Sequence, residues 1–259
     1  MRLSQGQLNL LERCPRQFQH TYLEQLGSPT SLEQQERLMW GSRFHLLMQQ
    51  RELGLPIESL VQEDTQLQCW MSAFTSVAPE ILTPDATQAF RESEHYRTLQ
   101  IQDYLLTVIY DLLIADDRQA QILDWKTYPK PQNRRALTQN WQTRLYLYVL
   151  AETSEYLPEQ LSMTYWFIQS ENQPQSLKFT YNNVQHAKTA QQLNYLLNQL
   201  TQWLQRYEHG EPFPQITLGS KLCDLCQYAT RCHRDDRYDA EASPQNLLPN
   251  LVNIQEVPL

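Results

Sequence analysis

The triplet Asp124-Trp125-Lys126, which follows Ile122 and Leu123, constrains this chain more than any other segment. Successive side chains of a β-strand point to opposite faces, so Asp124 and Lys126 share one face while Trp125 points into a core. A carboxylate can hold a divalent metal ion, and a neighbouring ammonium can stabilise the charge that develops during phosphodiester hydrolysis. A surface ion pair is the ordinary interpretation of such a triplet. Whether it is an ion pair or part of a metal-dependent hydrolytic site therefore depends on the other residues that accompany it.

The chain has 259 residues, a length that fits one large domain. Its net charge is −8. This charge argues against a protein that coats nucleic acid non-specifically, but it permits an acidic metal site with local basic patches. The sequence has no apolar stretch of membrane-spanning length, no signal-peptide pattern and no P-loop. We therefore expect a cytoplasmic protein with no membrane partner.

Apolar spacing predicts helices in the first 85 residues, and the period then changes to that of strands. The predicted strands cover 90–101, 104–115, 119–127, 161–169 and 176–181, and the later helices cover 136–156 and 184–209. This order closes as an α/β fold with a central mixed sheet flanked by helices. The expected domain covers 1–239, divided into a helical N-terminal segment (1–85), a core (86–182) and a C-terminal helix and cysteine segment (183–239); a tail covers 240–259.

Asp111 lies on the strand before Asp124, and a hairpin can place the two carboxylates side by side. Two carboxylates among apolar strand residues require a cation. On its own, however, Asp111 could simply lie at a strand end in water. The pair therefore predicts a metal site only in combination with the triplet.

Two helical pairs add to this pattern. His45 lies one helical turn after Gly41, and the glycine would let that helix approach a sheet closely. Gln142 and Tyr146 share one face of a later helix, although ordinary amphipathic packing also explains such a pair.

Five cysteines occur, and three of them have the spacing of a compact thiolate chelate: Cys223, Cys226 and Cys232. A tetrahedral metal ion or a cluster needs a fourth ligand. Cys14 is the best candidate, and His233 is an alternative for zinc, which the spacing alone favours. Cys69 lies on an apolar helix face and is expected to be a buried free thiol.

Together these motifs resemble the RecB-type branch of the PD-(D/E)xK nuclease superfamily over most of the chain, from about residue 3 to residue 233. The matching residues, in the order of that family, are Gly41-x-x-x-His45, Asp111, Asp124-Trp125-Lys126 and Gln142-x-x-x-Tyr146. One departure is Val108, where the family often has a glycine three residues before the acid of the second strand.

The resemblance implies a restriction-endonuclease-like core that uses Mg²⁺ or Mn²⁺. The implied metal ligands are His45, Asp111, Asp124 and the carbonyl of Trp125. The implied catalytic residues are Asp111, Asp124 and Lys126, with Gln142 and Tyr146 lining the active site.

The resemblance also reverses the preference for zinc. RecB-type nucleases with one cysteine before the core and C-x-x-C-x5-C after it, such as the CRISPR-associated and AddB-like proteins, bind a [4Fe–4S] cluster. The implied ligands here are Cys14, Cys223, Cys226 and Cys232. Such a cluster would join the N- and C-terminal segments.

Basic residues follow the triplet where a nucleic-acid path would need them: Lys130, Arg134, Arg135 and Arg144. The leading hypothesis is a metal-dependent deoxyribonuclease that acts on single-stranded DNA or free ends, in repair, recombination or CRISPR-type processing. A helicase or a CRISPR-adaptation protein is a candidate partner. The alternative is a cluster-stabilised DNA-binding or scaffold subunit with little catalysis, which would have no need for the complete acidic set.

Overall fold

The computed structural model describes residues 1–27, 32–62, 64–83, 90–129, 133–169 and 173–234. Its α-helices are α1 Gln5–Arg13, α2 Pro15–Phe18, α3 Leu32–Glu52, α4 Glu58–Gln62, α5 Thr65–Val77, α6 Pro79–Leu82, α7 Arg134–Gln139, α8 Trp141–Glu152 and α9 Asn183–Glu208. Its strands are β1 Arg2–Leu3, β2 Phe90–Ile101, β3 Tyr104–Ala115, β4 Ala120–Lys126, β5 Leu161–Phe167 and β6 Gln175–Thr180. The predicted tail 240–259 and the end of the cysteine segment, 235–239, lie outside the described residues.

Strand β3 organises the sheet. Along one edge it pairs antiparallel with β2, with a gap at Glu94, and along the other it pairs antiparallel with β4 and parallel with β1. Strands β4 and β5 are parallel, and β6 closes the order antiparallel to β5. The predicted mixed sheet flanked by helices is confirmed.

The two faces of the sheet carry separate cores, which the alternation of β4 explains. Trp125 and Leu123 face α3 and α5, and the ring centroid of Trp125 lies 5.5 Å from that of Phe74. Ile122 faces the opposite core together with Tyr110, on the side that α8 covers. The charged ends of the triplet therefore point toward α8, while Trp125 anchors the strand on the other side.

The single helix predicted over 136–156 was wrong, because the chain forms α7 and α8 with a break at Asn140. The side chain of Asn140 accepts a hydrogen bond from the amide of Gln142 at 2.8 Å and another from Nδ2 of Asn9 at 3.0 Å. A short amide side chain that satisfies backbone donors favours a helix start over a helix interior. The break thus places Gln142 in the first turn of α8.

No helix among the described residues is both long enough and apolar enough to cross a membrane.

Asp64 joins the two helices that support the α3 face of the sheet. It begins α5 by accepting hydrogen bonds from the amides of Gln66 and Leu67, at 3.0 and 3.2 Å. Its second carboxylate oxygen lies 2.6 Å from Nη1 of Arg43 on α3. The same side chain therefore caps one helix and holds the other.

We expect Asp64→Ala to lower the free energy of unfolding by about 1–2 kcal/mol, because it removes the helix cap. Asp64→Asn should cost clearly less, since asparagine caps equally well and loses only a partly exposed ion pair. Urea unfolding followed by circular dichroism measures both. Equal losses for the two variants would show that the cap is not what stabilises this junction.

Candidate active site

The carboxylate of Asp111 lies where β3 and β4 stop pairing. The last paired residues in this direction are Leu112 and Leu123, so Asp111 and Asp124 would come next in the register. Instead of a backbone pair, Oδ2 of Asp111 accepts a hydrogen bond from the amide of Trp125 at 2.7 Å. The hairpin thus brings the two predicted acids to adjacent positions.

Asp124, Lys126 and Gln142 form a closed polar network. Asp124 is only 1% exposed, its Oδ1 forms an ion pair with Nζ of Lys126, and its Oδ2 accepts a hydrogen bond from Nε2 of Gln142 at 2.6 Å. Gln142 also accepts a hydrogen bond from Nζ of Lys126 at 3.0 Å. The amide group of Gln142 therefore holds the carboxylate and the ammonium in a fixed arrangement.

The electrostatics of this network follow from burial. Burial raises the pKa of Asp124, because removal from water disfavours the charged carboxylate. Burial by itself would lower the pKa of Lys126, but the charge of Asp124 outweighs it and raises that pKa. The ammonium of Lys126 therefore stays protonated as a fixed cation beside the sheet.

His45 reaches the same strand end from α3. Its Nε2 donates to the carbonyl oxygen of Trp125 at 3.0 Å, and its Nδ1 lies 3.4 Å from Oδ1 of Asp111. Burial lowers the pKa of His45, but the hydrogen bond and charge of Asp111 outweigh burial and raise it. The close approach of α3 needs a small residue at Gly41, since an added Cβ would lie 3.1 Å from Oγ1 of Thr127.

Glu94 is a site residue that the sequence analysis did not identify. A nitrogen of His45 and one carboxylate oxygen each of Glu94 and Asp111 all lie within 4.8 Å of one another. Glu94 stands opposite Asp111 in the β2–β3 register, between the pairs Ser93–Leu112 and His95–Tyr110, with a φ of 50°. That conformation is unusual for a residue with a side chain. The only signal in the sequence is an acid on a strand, which is common on solvated faces.

The residues fit a divalent cation. Burial raises the pKa of Glu94, and the neighbouring charge of Asp111 raises it further. Two carboxylates and an imidazole that face one another are suitable ligands for Mg²⁺ or Mn²⁺. Asp124, also predicted as a ligand, lies beside this group with both oxygens bound to Lys126 and Gln142.

Tyr146 lies beneath this site rather than in the open. It is 4% exposed, and its ring centroid lies 5.3 Å from that of Tyr110. Burial raises the pKa of Tyr146, and the charges of Asp124 and Asp111 add to the effect. Its hydroxyl therefore remains protonated next to the acids.

A cleft of about 810 Å³ extends along α3 from His45 and Glu94, two of the three candidate metal ligands. Its walls include His45, Glu94, Thr127 and the half-exposed ring of Tyr128. Three predicted nucleic-acid contacts lie elsewhere, in a second groove beyond α8: Arg134, Arg135 and Arg144. The fourth, Lys130, lies outside the described residues.

The four cysteines predicted to act together line one small cavity: Cys14, Cys223, Cys226 and Cys232. Among these described residues, no three sulfur atoms lie within 4.8 Å of one another. Tetrahedral zinc needs sulfur atoms about 3.8 Å apart, given its Zn–S distance of about 2.3 Å. Cys69 was predicted to be buried, which is wrong, because it lies on the exposed side of α5.

The profile of the PD-(D/E)XK nuclease superfamily matches residues 2–233. The chain belongs to this superfamily. The crystal structure of a candidate exonuclease from Eubacterium rectale is similar in fold, with a TM-score of 0.53 and 9% identity over 88% of this chain and 86% of that chain. The crystal structure of SSO0001 matches with a TM-score of only 0.36 and 12% identity, over 76% of this chain and 75% of that chain. No curated protein matches the sequence.

We expect Glu94→Gln to weaken Mn²⁺ binding at least about tenfold, because it removes a negative charge from the metal-ligating group. Isothermal titration with Mn²⁺ measures this without any substrate. Glu92→Gln is the matched control, since Glu92 is exposed on the same strand and contacts His95. Unchanged Mn²⁺ affinity in Glu94→Gln would remove Glu94 from the metal site.

Proposed function

We propose that the protein is a metal-dependent deoxyribonuclease that hydrolyses phosphodiester bonds in single-stranded DNA or at free ends. One observation supports this most: a cation-binding group of His45, Glu94 and Asp111 stands directly beside the buried pair of Asp124 and Lys126. A metal pocket next to a fixed ammonium is the arrangement that phosphodiester hydrolysis needs. Membership of a nuclease superfamily supports the same reaction.

The residues of the chain have distinct roles in this proposal. His45, Glu94 and Asp111 would hold Mg²⁺ or Mn²⁺, with Asp124 and the carbonyl of Trp125 adjacent to them. The bound ion supplies Lewis-acid activation and a lowered pKa for water.

Lys126 places its ammonium where negative charge develops on the phosphate. Gln142 holds the side chains of Lys126 and Asp124 in place, through hydrogen bonds of 3.0 and 2.6 Å respectively. Tyr146 packs under this network and supports Gln142. Gln142 and Tyr146 thus act by positioning.

The form of the substrate is inferred from the cleft beside the metal-ligating group. Tyr128 is 46% exposed at its wall, and an exposed aromatic ring can stack on an unpaired base. A repair, recombination or CRISPR-type process would supply such strands, through a helicase or a CRISPR-adaptation protein. The alternative, a DNA-binding or scaffold subunit, predicts strand binding without metal-dependent cleavage.

Lys126→Met should lower the cleavage rate of single-stranded DNA by several powers of ten, because it removes the fixed cation at the reacting phosphate. Gln142→Ala should lower it less, since Lys126 and Asp124 remain. Cleavage should require Mg²⁺ or Mn²⁺ and stop in chelator. Arg118→Ala, in the exposed β3–β4 turn, is the matched control and should cleave at the wild-type rate.

Melting curves of each variant separate a chemical effect from unfolding. A folded Lys126→Met protein with wild-type cleavage would reject the active-site assignment. Wild-type protein that binds single strands but never cleaves them with either metal would favour the DNA-binding subunit.

We further propose that Cys14, Cys223, Cys226 and Cys232 hold a [4Fe–4S] cluster. Support comes from their common cavity, which brings Cys14 together with the three cysteines of the C-terminal segment. Burial raises the pKa of Cys223 and of Cys232, and two cations that line the cavity, Arg234 and Arg16, act against that shift and would favour the thiolates that a cluster needs. The cluster would connect the start of α2 with the segment after α9.

Anaerobically purified protein should be brown and contain iron and acid-labile sulfide in about equal amounts. Cys14→Ser should lose the iron and melt at lower temperature, because the tie between the chain ends is cut. Cys69→Ser is the matched control and should keep both. Stoichiometric zinc without sulfide would reject the cluster and leave the nuclease proposal untouched.

A further inference from the structure

We propose that the second groove, beyond α8, binds the phosphate backbone of the DNA strand whose scissile bond lies in the active site. The groove has a volume of about 890 Å³, within the range of about 300–1,000 Å³ typical of ligand sites. Residues of α7, α8, β6 and α9 line it. This inference rests on the proposed nuclease function and identifies a separate portion of the substrate path.

The charge of the groove suits a polyanion. Its lining residues include four cations and, among the described residues, one carboxylate: Arg134, Arg135, Arg144, Lys188 and Glu12. Glu12 is already paired, since its Oε2 lies 2.9 Å from Nη2 of Arg144. Three positive charges therefore remain in a protein whose net charge is −8. A local concentration of cations on an acidic protein favours a phosphate backbone over a generally acidic surface.

The cations differ in their freedom to bind a ligand. Arg144 is held in the floor, because it also donates to Gln192 at 2.7 Å and its guanidinium lies 3.8 Å from the ring centroid of Trp141. Arg135 and Lys188 are exposed, and within the described stretches of the chain neither is in an ion pair. These two side chains can turn to phosphates without breaking a contact of the fold.

One wall of the groove is aromatic. The guanidinium of Arg134 lies 4.5 Å from the ring centroid of Phe179 and donates to the carbonyl oxygen of Lys178. This contact fixes a cation on the face of β6. Tyr181 follows on the same wall. A cation fixed on the wall of a groove can hold a phosphate of the backbone, while the two rings, each 5% exposed, serve mainly to support the wall.

Two buried side chains, Thr143 and then Tyr165, connect the groove with Lys126. Thr143 lines the groove, and its hydroxyl lies 2.8 Å from the hydroxyl of Tyr165. The ring of Tyr165 lies 5.3 Å from Nζ of Lys126. Because Gln142 contacts Lys126 and its neighbour Thr143 faces the groove, one turn of α8 separates the two sites. We therefore place the strand across this turn, from the active site to the groove.

The test measures binding of a single strand of about 16 nucleotides in chelator, so that cleavage plays no role. We expect the double variant Arg135→Ala/Lys188→Ala to weaken binding about three- to tenfold. The slope of log affinity against log salt should fall by about 1.4, because each lost phosphate contact on a single strand contributes about 0.7. Arg118→Ala, at the far end of β4, is the matched control and should keep the wild-type affinity and slope.

Wild-type affinity and salt slope in the double variant would overturn the inference. A loss confined to duplex of the same sequence, with single-strand binding intact, would also overturn it. Failure of the nuclease proposal would look different: the strand would bind with the expected groove dependence but would not be cleaved when Mg²⁺ or Mn²⁺ is added.

Discussion

The burial of one carboxylate, that of Asp124, determines how the rest of the site is built. Asp124 is 1% exposed, and an unpaired carboxylate buried to that extent would lower the stability of the fold by several kcal/mol. Lys126 lies two residues further on the same face and supplies the opposite charge, while Gln142 satisfies the second oxygen at 2.6 Å. Because the side-chain amide of Gln142 must reach Asp124 on β4, the start of α8 is fixed against that strand. The break at Asn140 gives α8 the required starting point.

Local patterns predicted five of the six strands in the described residues, whereas long-range contacts were needed for β1, which pairs with β3, and for the helices that complete the fold. The strands over 90–101 and 104–115 were predicted at their observed bounds, since period-2 alternation stops at the turn between them. The break between α7 and α8 could not be predicted in this way. Asn140 caps α8 while bound to Asn9, which is 131 residues away in sequence. A contact of that range leaves no local signal, and an uninterrupted apolar period therefore predicted one helix.

The candidate site shows the same division. Spacing on a single element identified residues that share a face, such as Asp124 with Lys126, and the structure brings these two together. Glu94 required the β2–β3 register, because it faces Asp111 only once the two strands are paired. Arg144 shows what the sequence does not reveal about a basic residue: it lines the second groove, as a predicted nucleic-acid contact could, but its Nη2 also lies 2.9 Å from the carboxylate of Glu12. Charge in a sequence indicates a binding residue only when the fold leaves that charge free.

The arrangement also divides the negative charge of the site into two groups with different functions. Lys126 neutralises Asp124 inside the sheet, and Gln142 contacts both members of this pair. Glu94 and Asp111 are left facing His45, and the influence of Asp111 raises the pKa of the imidazole. A histidine must lose its proton before it can bind a metal ion. A proton on His45 and a divalent ion therefore compete for the same pocket, and the two carboxylates that attract the metal also favour the proton. The ammonium of Lys126 lies outside that competition, because it is held by Asp124 and Gln142 without any metal ion.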